Sequence, residues 1–153
     1  MVRIDLLHDH PELLNDLARA YECEWPQWYG VRGDATADLR ERSRANGLPL
    51  GLIAVEDGEA LGTAALVRQG AASHPQLSPW VVGVLVIPAR RRQGICGALL
   101  DAACARAKAQ GYADAYTSTV AAARLLARLS WTRIDTGTTF GGDIVEVFRK
   151  QLN

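Results

Sequence analysis

The chain has 153 residues, of which 48% are hydrophobic and 22% are charged, and its 17 basic residues balance its 17 acidic residues. A chain of this length buries about two thirds of its unfolded surface, so its core needs neither a disulfide nor a metal. The composition excludes a disordered chain, and the zero net charge excludes a global field that would attract nucleic acid or an anionic membrane.

No apolar run approaches the roughly 20 residues that span a bilayer, and acidic and histidine residues come too early for a signal peptide. Cys23, Cys96 and Cys104 have no CxxC or Cys/His spacing, which fits a reducing compartment and argues against structural zinc. We therefore expect one soluble, cytoplasmic domain over residues 1–153, with no metal, no nucleic-acid partner and no membrane partner.

The first third of the chain predicts a strand and two helices. Residues 2–6 alternate weakly and indicate a short strand. Apolar residues recur at helical spacing over 11–25, after a proline that a first helical turn tolerates. Prolines and glycines make residues 25–34 a predicted loop, and a second helix is predicted over 35–45, with Gly47 as its stop.

The middle of the chain predicts a β-meander followed by a helix. An Asp-Gly dipeptide, a strong hairpin signal, separates apolar runs at 48–56 and 59–69. Residues 80–87 are apolar without alternation, which is typical of a strand covered on both faces. A helix is predicted over 94–110, because its apolar residues lie on one face.

The last third predicts a strand at 115–117, a helix at 121–129 and two strands at 132–140 and 143–149. A Gly-Gly turn joins the two final strands. The predicted element order is β-α-α-β-β-β-α-β-α-β-β. This order indicates an α/β (α+β) fold with a mixed sheet, and not the strict alternation of a doubly wound fold.

The segment between the fourth strand and the helix after it has the chemistry of a phosphate site. Arg90, Arg91 and Arg92 follow the strand, and Gly94 opens the helix. The first turn of a helix has N–H groups without partners and a positive dipole end, and glycine lets a ligand approach the backbone. The alternative is a solvated basic loop. Neither the P-loop nor the GxGxxG pattern is present.

Residues 91–100, RRQGICGALL, resemble the acetyl-CoA motif Q/R-x-x-G-x-G/A of the Gcn5-related N-acetyltransferase (GNAT) family. The element order resembles that family over nearly the whole chain, and residues 125–131, LLARLSW, are similar to its Y-x-x-L-G-W/F stretch. The resemblance implies a GNAT-like sheet that splays between its fourth and fifth strands, with acetyl-CoA in the gap. It also implies an N-acetyltransferase that moves acetyl to a primary amine by direct attack in a ternary complex.

Carried over to this sequence, the resemblance implies that backbone groups of Val84, Leu85 and Val86 hold the pantetheine arm of acetyl-CoA. An N–H near Leu85 is expected to serve as the oxyanion donor. The side chain of Arg91 is expected to supply charge to the pyrophosphate. The residues implied in pyrophosphate binding are Arg91, Arg92, Gln93, Gly94, Ile95, Cys96 and Gly97.

Some positions depart from the family pattern. Cys96 stands where the family has Gly or Ala, and it is either a small residue beneath the cofactor or a reactive thiol with a lowered pKa. Leu126 stands where the family has the tyrosine that protonates the leaving thiolate, and Ser130 replaces the glycine before Trp131. The predicted fourth strand also contains no carboxylate. These departures leave an alternative function, a non-catalytic acyl-CoA-binding or sensor domain.

An aromatic cluster marks where the amine would enter. Trp25, Trp28 and Tyr29 lie in the predicted loop between the first two helices. The resemblance to the GNAT family implies that the acceptor enters there. The alternative is that they cap the edge of the sheet. Glu24 is a candidate general base and Tyr29 a candidate proton relay. The acceptor is expected to be a small-molecule or peptide amine, and the resemblance also allows a homodimer.

Overall fold

Seven strands form one mixed sheet in the computed structural model, which describes residues 1–153. The strands are β1 (Arg3–Leu6), β2 (Leu50–Glu56), β3 (Glu59–Val67), β4 (Trp80–Val86), β5 (Asp114–Thr119), β6 (Thr132–Thr138) and β7 (Ile144–Gln151). The helices are α1 (Leu14–Glu24), α2 (Pro26–Tyr29), α3 (Ala35–Arg42), α4 (Ile95–Ala109) and α5 (Ala123–Arg128). Short 3₁₀ turns lie at Leu7–Asp9, Pro11–Leu13 and Pro88–Arg90.

The sheet order is β1-β2-β3-β4-β5-β7-β6, and β4–β5 is its one parallel pair. β4 and β5 pair only through Trp80 and Tyr116, near the start of both strands. Beyond that pair the two strands share no ladder, so the sheet opens between them. The predicted fold class is therefore confirmed, including the splay between the fourth and fifth strands.

A bulge interrupts β4 just where the opening begins. Val82 and Leu85 keep partners on β3, so Gly83 and Val84 together lie opposite the single residue Ala64. An extra residue of this kind leaves the ladder, bends the strand and increases its twist. The bulge was not predicted from the sequence, because the run of valines around it is equally suited to a regular strand.

Buried side chains cover both faces of the sheet. One cluster, which includes Leu99 and Trp131, packs α4 against the sheet. A second cluster, which includes Leu17 and Leu39, packs α1 and α3 against the sheet. The helical periodicity of the apolar residues accounts for both clusters, because each helix buries its apolar stripe.

Several elements end at residues other than those predicted. α2 lies inside the segment predicted as a loop, where Pro26 occupies the first helical turn without costing a hydrogen bond. α3 ends at Arg42, earlier than the predicted residue 45. β7 continues to Gln151 because that residue pairs with Asp114 of β5.

The loop between β3 and β4 is attached to β6 through His74. The imidazole is 8% exposed, and its Nε2 lies 2.7 Å from Oδ2 of Asp135 while its Nδ1 lies 2.7 Å from Oγ of Ser73. The N–H of Thr138 in turn donates to the Ser73 hydroxyl at 2.8 Å. The hydrogen bond from His74 holds the pKa of Asp135 below its ordinary value.

We expect Asp135→Asn to lower the melting temperature near neutral pH, because it weakens this attachment. A carboxyl whose folded pKa is depressed stabilises the fold above its unfolded pKa and loses that stabilisation as the pH falls through the folded value. The difference in Tm between the two proteins should therefore shrink from about pH 7 to about pH 3. Asp101→Asn, at an exposed residue, is the control. A constant difference over this range would contradict the prediction.

Candidate functional site

Three adjoining cavities lie along β4. The arginine cavity, lined by Arg90–Arg92 and the start of α4, has a volume of about 410 Å³. The central cavity, lined by Leu126 and the opening between β4 and β5, has a volume of about 440 Å³. The aromatic cavity, lined by Trp28 and Tyr29, has a volume of about 410 Å³.

The cavities meet at the bulge in β4. The central cavity shares Val84 and Cys96 with the arginine cavity, and it shares Trp25 and Gly83 with the aromatic cavity. A molecule in the arginine cavity can therefore reach the same point of β4 as a molecule in the aromatic cavity.

The first turn of α4 presents unsatisfied donors to the arginine cavity. Gly94 precedes the helix with a φ of 81°, and a Cβ at this position would meet nothing within 4 Å. No side chain caps the helix, and the N–H groups of Ile95, Cys96 and Gly97 have no acceptor in the protein. Because the N-terminus of a helix is positive, this turn can bind an anion.

Arginine side chains add charge around this turn. Arg91 donates from Nε to the carbonyl oxygen of Val86 at 2.9 Å, and its Nη2 lies 3.0 Å from Oε2 of Glu24. Arg92 and Arg128 also line the cavity and form no ion pair. The candidate base Glu24 therefore lies at the arginine cavity, in an ion pair, and does not line the aromatic cavity.

The structure brings together all but one of the residues implied in cofactor binding. The exception is Gln93, whose Oε1 accepts a hydrogen bond from Nε of Arg90 at 3.0 Å. Leu125 and Arg128 of α5 complete the wall and were not predicted, because their distance along the chain from α4 gives no sign of contact. The implied residues that line the arginine cavity are Val84, Leu85, Val86, Arg91, Arg92, Gly94, Ile95, Cys96 and Gly97.

Cys96 is half-buried between the arginine and central cavities. Burial raises the pKa of its thiol, whereas the reactive-thiol alternative requires a lowered pKa. The structure therefore supports the other interpretation, in which Cys96 is a small residue on the wall of the cavity.

At the bulge, one peptide group has a fixed orientation. The hydroxyl of the fully buried Tyr21 donates to the carbonyl oxygen of Gly83 at 2.8 Å. Because a peptide is planar and trans, the N–H of Val84 points away from Tyr21. Gly83 has a φ of 59°, and a Cβ there would lie 2.7 Å from the tyrosine oxygen, so only glycine fits. The donor that the bulge presents, the N–H of Val84, thus lies next to Leu85, near which the oxyanion donor was expected.

Leu126 lines the central cavity with a buried side chain, so the position of the missing tyrosine faces the opening between β4 and β5. Three β5 residues with hydroxyl groups line the same cavity. Backbone groups hold the hydroxyls of Thr117 and Thr119 at 2.8 Å each, and Ser118 forms no side-chain hydrogen bond. The Thr117 hydroxyl donates to Val81, whereas the Thr119 hydroxyl accepts from the N–H of Ala122, so the hydroxyl hydrogens of Ser118 and Thr119 are both uncommitted.

The aromatic cavity brings together the three aromatic residues expected at the amine entrance. Trp25, Trp28 and Tyr29 form one wall, and the β6–β7 turn with Phe140 forms another. The two walls approach each other closely, since a Cβ at Gly141 would lie 3.7 Å from the Trp28 ring. The cluster thus lines a cavity instead of only capping the sheet edge.

Two side chains of α3 that were not predicted also line the aromatic cavity. Asp38 and Arg42 are four residues apart and share a helix face, yet they form no ion pair. Tyr29 donates to Oδ2 of Asp38 at 2.9 Å, and Arg42 donates to the Tyr21 hydroxyl at 3.2 Å. Burial and the hydrogen bond to Asp38 raise the pKa of Tyr29, so its hydroxyl stays protonated and donates this hydrogen bond.

No group of three or more His, Cys, Asp or Glu side chains is placed to hold a metal ion. None of the helices combines the length and the apolar character that a membrane crossing requires.

Comparison with known proteins identifies the family. A model of the acetyltransferase (GNAT) family matches residues 15–131, and no curated protein sequence matches the chain. An aminoglycoside 6'-N-acetyltransferase complexed with coenzyme A has a TM-score of 0.80 at 14% identity, with 99% of this chain and 97% of that chain covered. The enzyme of that name from Enterococcus faecium has a TM-score of 0.78 at 14% identity, with 99% and 97% covered.

An N-acetyltransferase from Staphylococcus aureus Mu50 has a TM-score of 0.70 at 19% identity, with 100% of this chain and 98% of that chain covered. At such identities, structural similarity establishes the fold alone. The family match adds to it, because it spans most of the chain and includes the arginine loop, α4 and both strands of the opening. The chain belongs to the GNAT family of acetyltransferases.

Proposed function

We propose that this protein transfers acetyl from acetyl-CoA to a primary amine by direct attack in a ternary complex. The observation that carries the proposal is the meeting of the cavities at Gly83 and Val84. Direct transfer needs the amine and the thioester at one point, and holding them there supplies much of the rate enhancement. Membership of the acetyltransferase family supports the acyl-transfer chemistry.

The residues of the arginine cavity fit the diphosphate and pantetheine of CoA. Three N–H groups without acceptors, together with the side chains of Arg91 and Arg92, supply donors and charge for a diphosphate. The backbone edge of β4 at Val84–Val86 has no neighbouring strand on the side of β5. It can pair with the amide groups of an extended arm, as a sheet edge pairs with an added strand. Acetyl-CoA would supply the thioester.

The bulge would stabilise charge during transfer. We propose that the N–H of Val84 donates to the thioester oxygen as negative charge develops on it. The hydrogen bond from Tyr21 to Gly83 holds this peptide in place beforehand. Burial raises the pKa of Tyr21, so its hydroxyl keeps the proton that this hydrogen bond requires.

Asp38 is our proposed general base, in preference to Glu24. A primary amine is protonated near neutral pH and must lose a proton before it attacks. Asp38 lines the aromatic cavity, and Tyr29 binds one of its oxygens, which orients the carboxylate and leaves the other oxygen to the amine. Trp25 and Trp28 add attraction for an ammonium group through their ring faces.

The departing thiolate would leave beside Leu126 and Ser118. The thiol of CoA has a pKa of about 8.5 by analogy with free cysteine, so its thiolate can leave near neutral pH without a dedicated acid. A general acid typically adds ~10²–10⁴-fold to a rate. The missing tyrosine therefore predicts a slow enzyme and not an inactive one.

Arg91→Ala should weaken acetyl-CoA binding by roughly 1–3 kcal/mol, because it removes a charge-assisted contact. Glu24→Gln should have the opposite effect, of up to about 1 kcal/mol, because it frees Arg91 from a competing, partly exposed ion pair. Calorimetric titration measures both affinities, with Arg106→Ala on the exposed side of α4 as the control. Unchanged affinity in both variants would refute the proposed diphosphate site.

Trp28→Ala should raise the KM for the amine and leave the affinity for CoA nearly unchanged, because the ring lines the aromatic cavity alone. Steady-state kinetics with one accepted amine, together with CoA titration, separate the two effects. The exposed neighbour Val31, changed to Ala, is the control. A fall in Tm without a change in KM would instead assign Trp28 to packing.

Leu126→Tyr should keep the fold and give the same or a higher rate, since position 126 faces the central cavity. The measurement is thiol release from acetyl-CoA across pH, first in the native protein with a broad panel of amines. Binding of CoA without turnover on any amine would favour the alternative, a non-catalytic acyl-CoA-binding domain. A large loss of rate in a folded Leu126→Tyr protein would show that the cavity depends on an apolar wall there.

A further inference from the structure

Arg42 is the one basic side chain in the aromatic cavity, and it has no role in the transfer proposed above. Arg42 is half-buried, and its guanidinium makes one hydrogen bond within the protein, from Nη1 to the Tyr21 hydroxyl at 3.2 Å. It forms no ion pair with any carboxylate. Most of its donors are therefore available to a molecule in the cavity.

The position of this guanidinium matters because it lies at the bulge. A Cβ at Gly83 would be 3.1 Å from Nη1 of Arg42. The cation is thus next to the peptide group that we propose holds the thioester oxygen, and it faces the cavity that would hold the amine.

The expected partner of Arg42 is engaged elsewhere. Asp38, one helical turn earlier, would pair with it on an isolated helix, but Tyr29 binds Asp38 and Tyr21 binds Arg42. The two tyrosine rings stack with centroids 5.4 Å apart and an interplanar angle of 11°, which fixes both hydroxyls. The cavity therefore presents the guanidinium of Arg42 unpaired, apart from the carboxylates of Asp38 and Asp143 that line the same cavity.

We propose that the acceptor is an amino acid with a large apolar side chain, an inference that rests on the proposed acetyl transfer. Its carboxylate binds the planar fork of Arg42, and its amine faces Asp38 and the bulge. Its side chain contacts Trp28 and Phe140, which are apolar walls of the same cavity. A cavity of about 410 Å³ accommodates a ligand of this size.

In the reaction, the amine nitrogen forms a bond to the acetyl carbon and the carbon–sulfur bond breaks. The electron pair of that bond leaves on the sulfur of CoA. The ammonium loses two protons: Asp38 passes the first to solvent before attack, and the second, lost from the nitrogen after attack, neutralises the thiolate of CoA. The products are an N-acetyl amino acid and CoA.

The experiment compares matched acceptors on the native protein. Phenylalanine, phenylalanine amide and phenethylamine share the ring and the primary amine, and only the first carries a carboxylate. We expect kcat/KM for phenylalanine to exceed that for the other two by roughly 10- to 100-fold, the effect of one charged hydrogen-bonded contact. In Arg42→Gln the ratio of kcat/KM for phenylalanine to kcat/KM for phenylalanine amide should fall to about one, whatever the overall rate of the variant.

The outcomes separate this inference from the function on which it rests. Equal or faster acetylation of phenethylamine by the native protein would overturn the amino-acid assignment and leave amine acetylation standing. A preference that survives in Arg42→Gln would overturn the role of Arg42. Binding of CoA with no turnover on any amine, neither these three nor the wider panel, would overturn both the amino-acid assignment and the proposed acetyl transfer. If Arg42→Gln does not fold, Arg42→Lys is the substitute variant. It keeps the charge without the planar fork and should retain part of the preference for phenylalanine.

Discussion

The hydrogen bond from Tyr21 to the carbonyl of Gly83 is the contact on which the rest of the site depends. It joins α1 to the one irregular point of β4, and a buried tyrosine that lost it would leave a polar group unsatisfied. The glycine is required because any side chain would meet the tyrosine oxygen and Arg42. The bulge it stabilises lies where the ladder between β4 and β5 stops, and there the three cavities adjoin.

Charge is divided along this passage in a way that the total charge conceals. The chain has a net charge of zero, which removes any long-range field. Locally, however, the arginine cavity has four arginines and one glutamate, while the aromatic cavity has two aspartates and one arginine. In the proposed function, the diphosphate would face the net positive end of the opening and the ammonium group the net negative end.

The sequence was sufficient to predict most of the elements and the arginine cavity, because these have local signatures, and the resemblance to the family predicted the splayed sheet. Apolar periodicity marks the helices, and the glycine after the arginines marks the start of α4. The aromatic cavity was predicted only in part. Asp38 and Arg42 have the spacing of an ordinary exposed ion pair, and only the stacked tyrosines, contributed by α1 and α2, draw them apart. Such a network depends on tertiary contacts that no local pattern contains.

Two glycines that line the aromatic cavity, Gly83 and Gly141, differ in the substitutions that they tolerate. Gly83 admits no side chain, so the floor of the cavity cannot be reshaped without losing the bulge. Gly141 in the β6–β7 turn is exposed, and a Cβ there would reach the Trp28 ring at an ordinary contact distance of 3.7 Å. Successive enlargements at Gly141 would narrow the mouth step by step while the reacting centre stays intact. In the proposed function, the range of acceptors would therefore be adjustable from this turn without a change at the bulge.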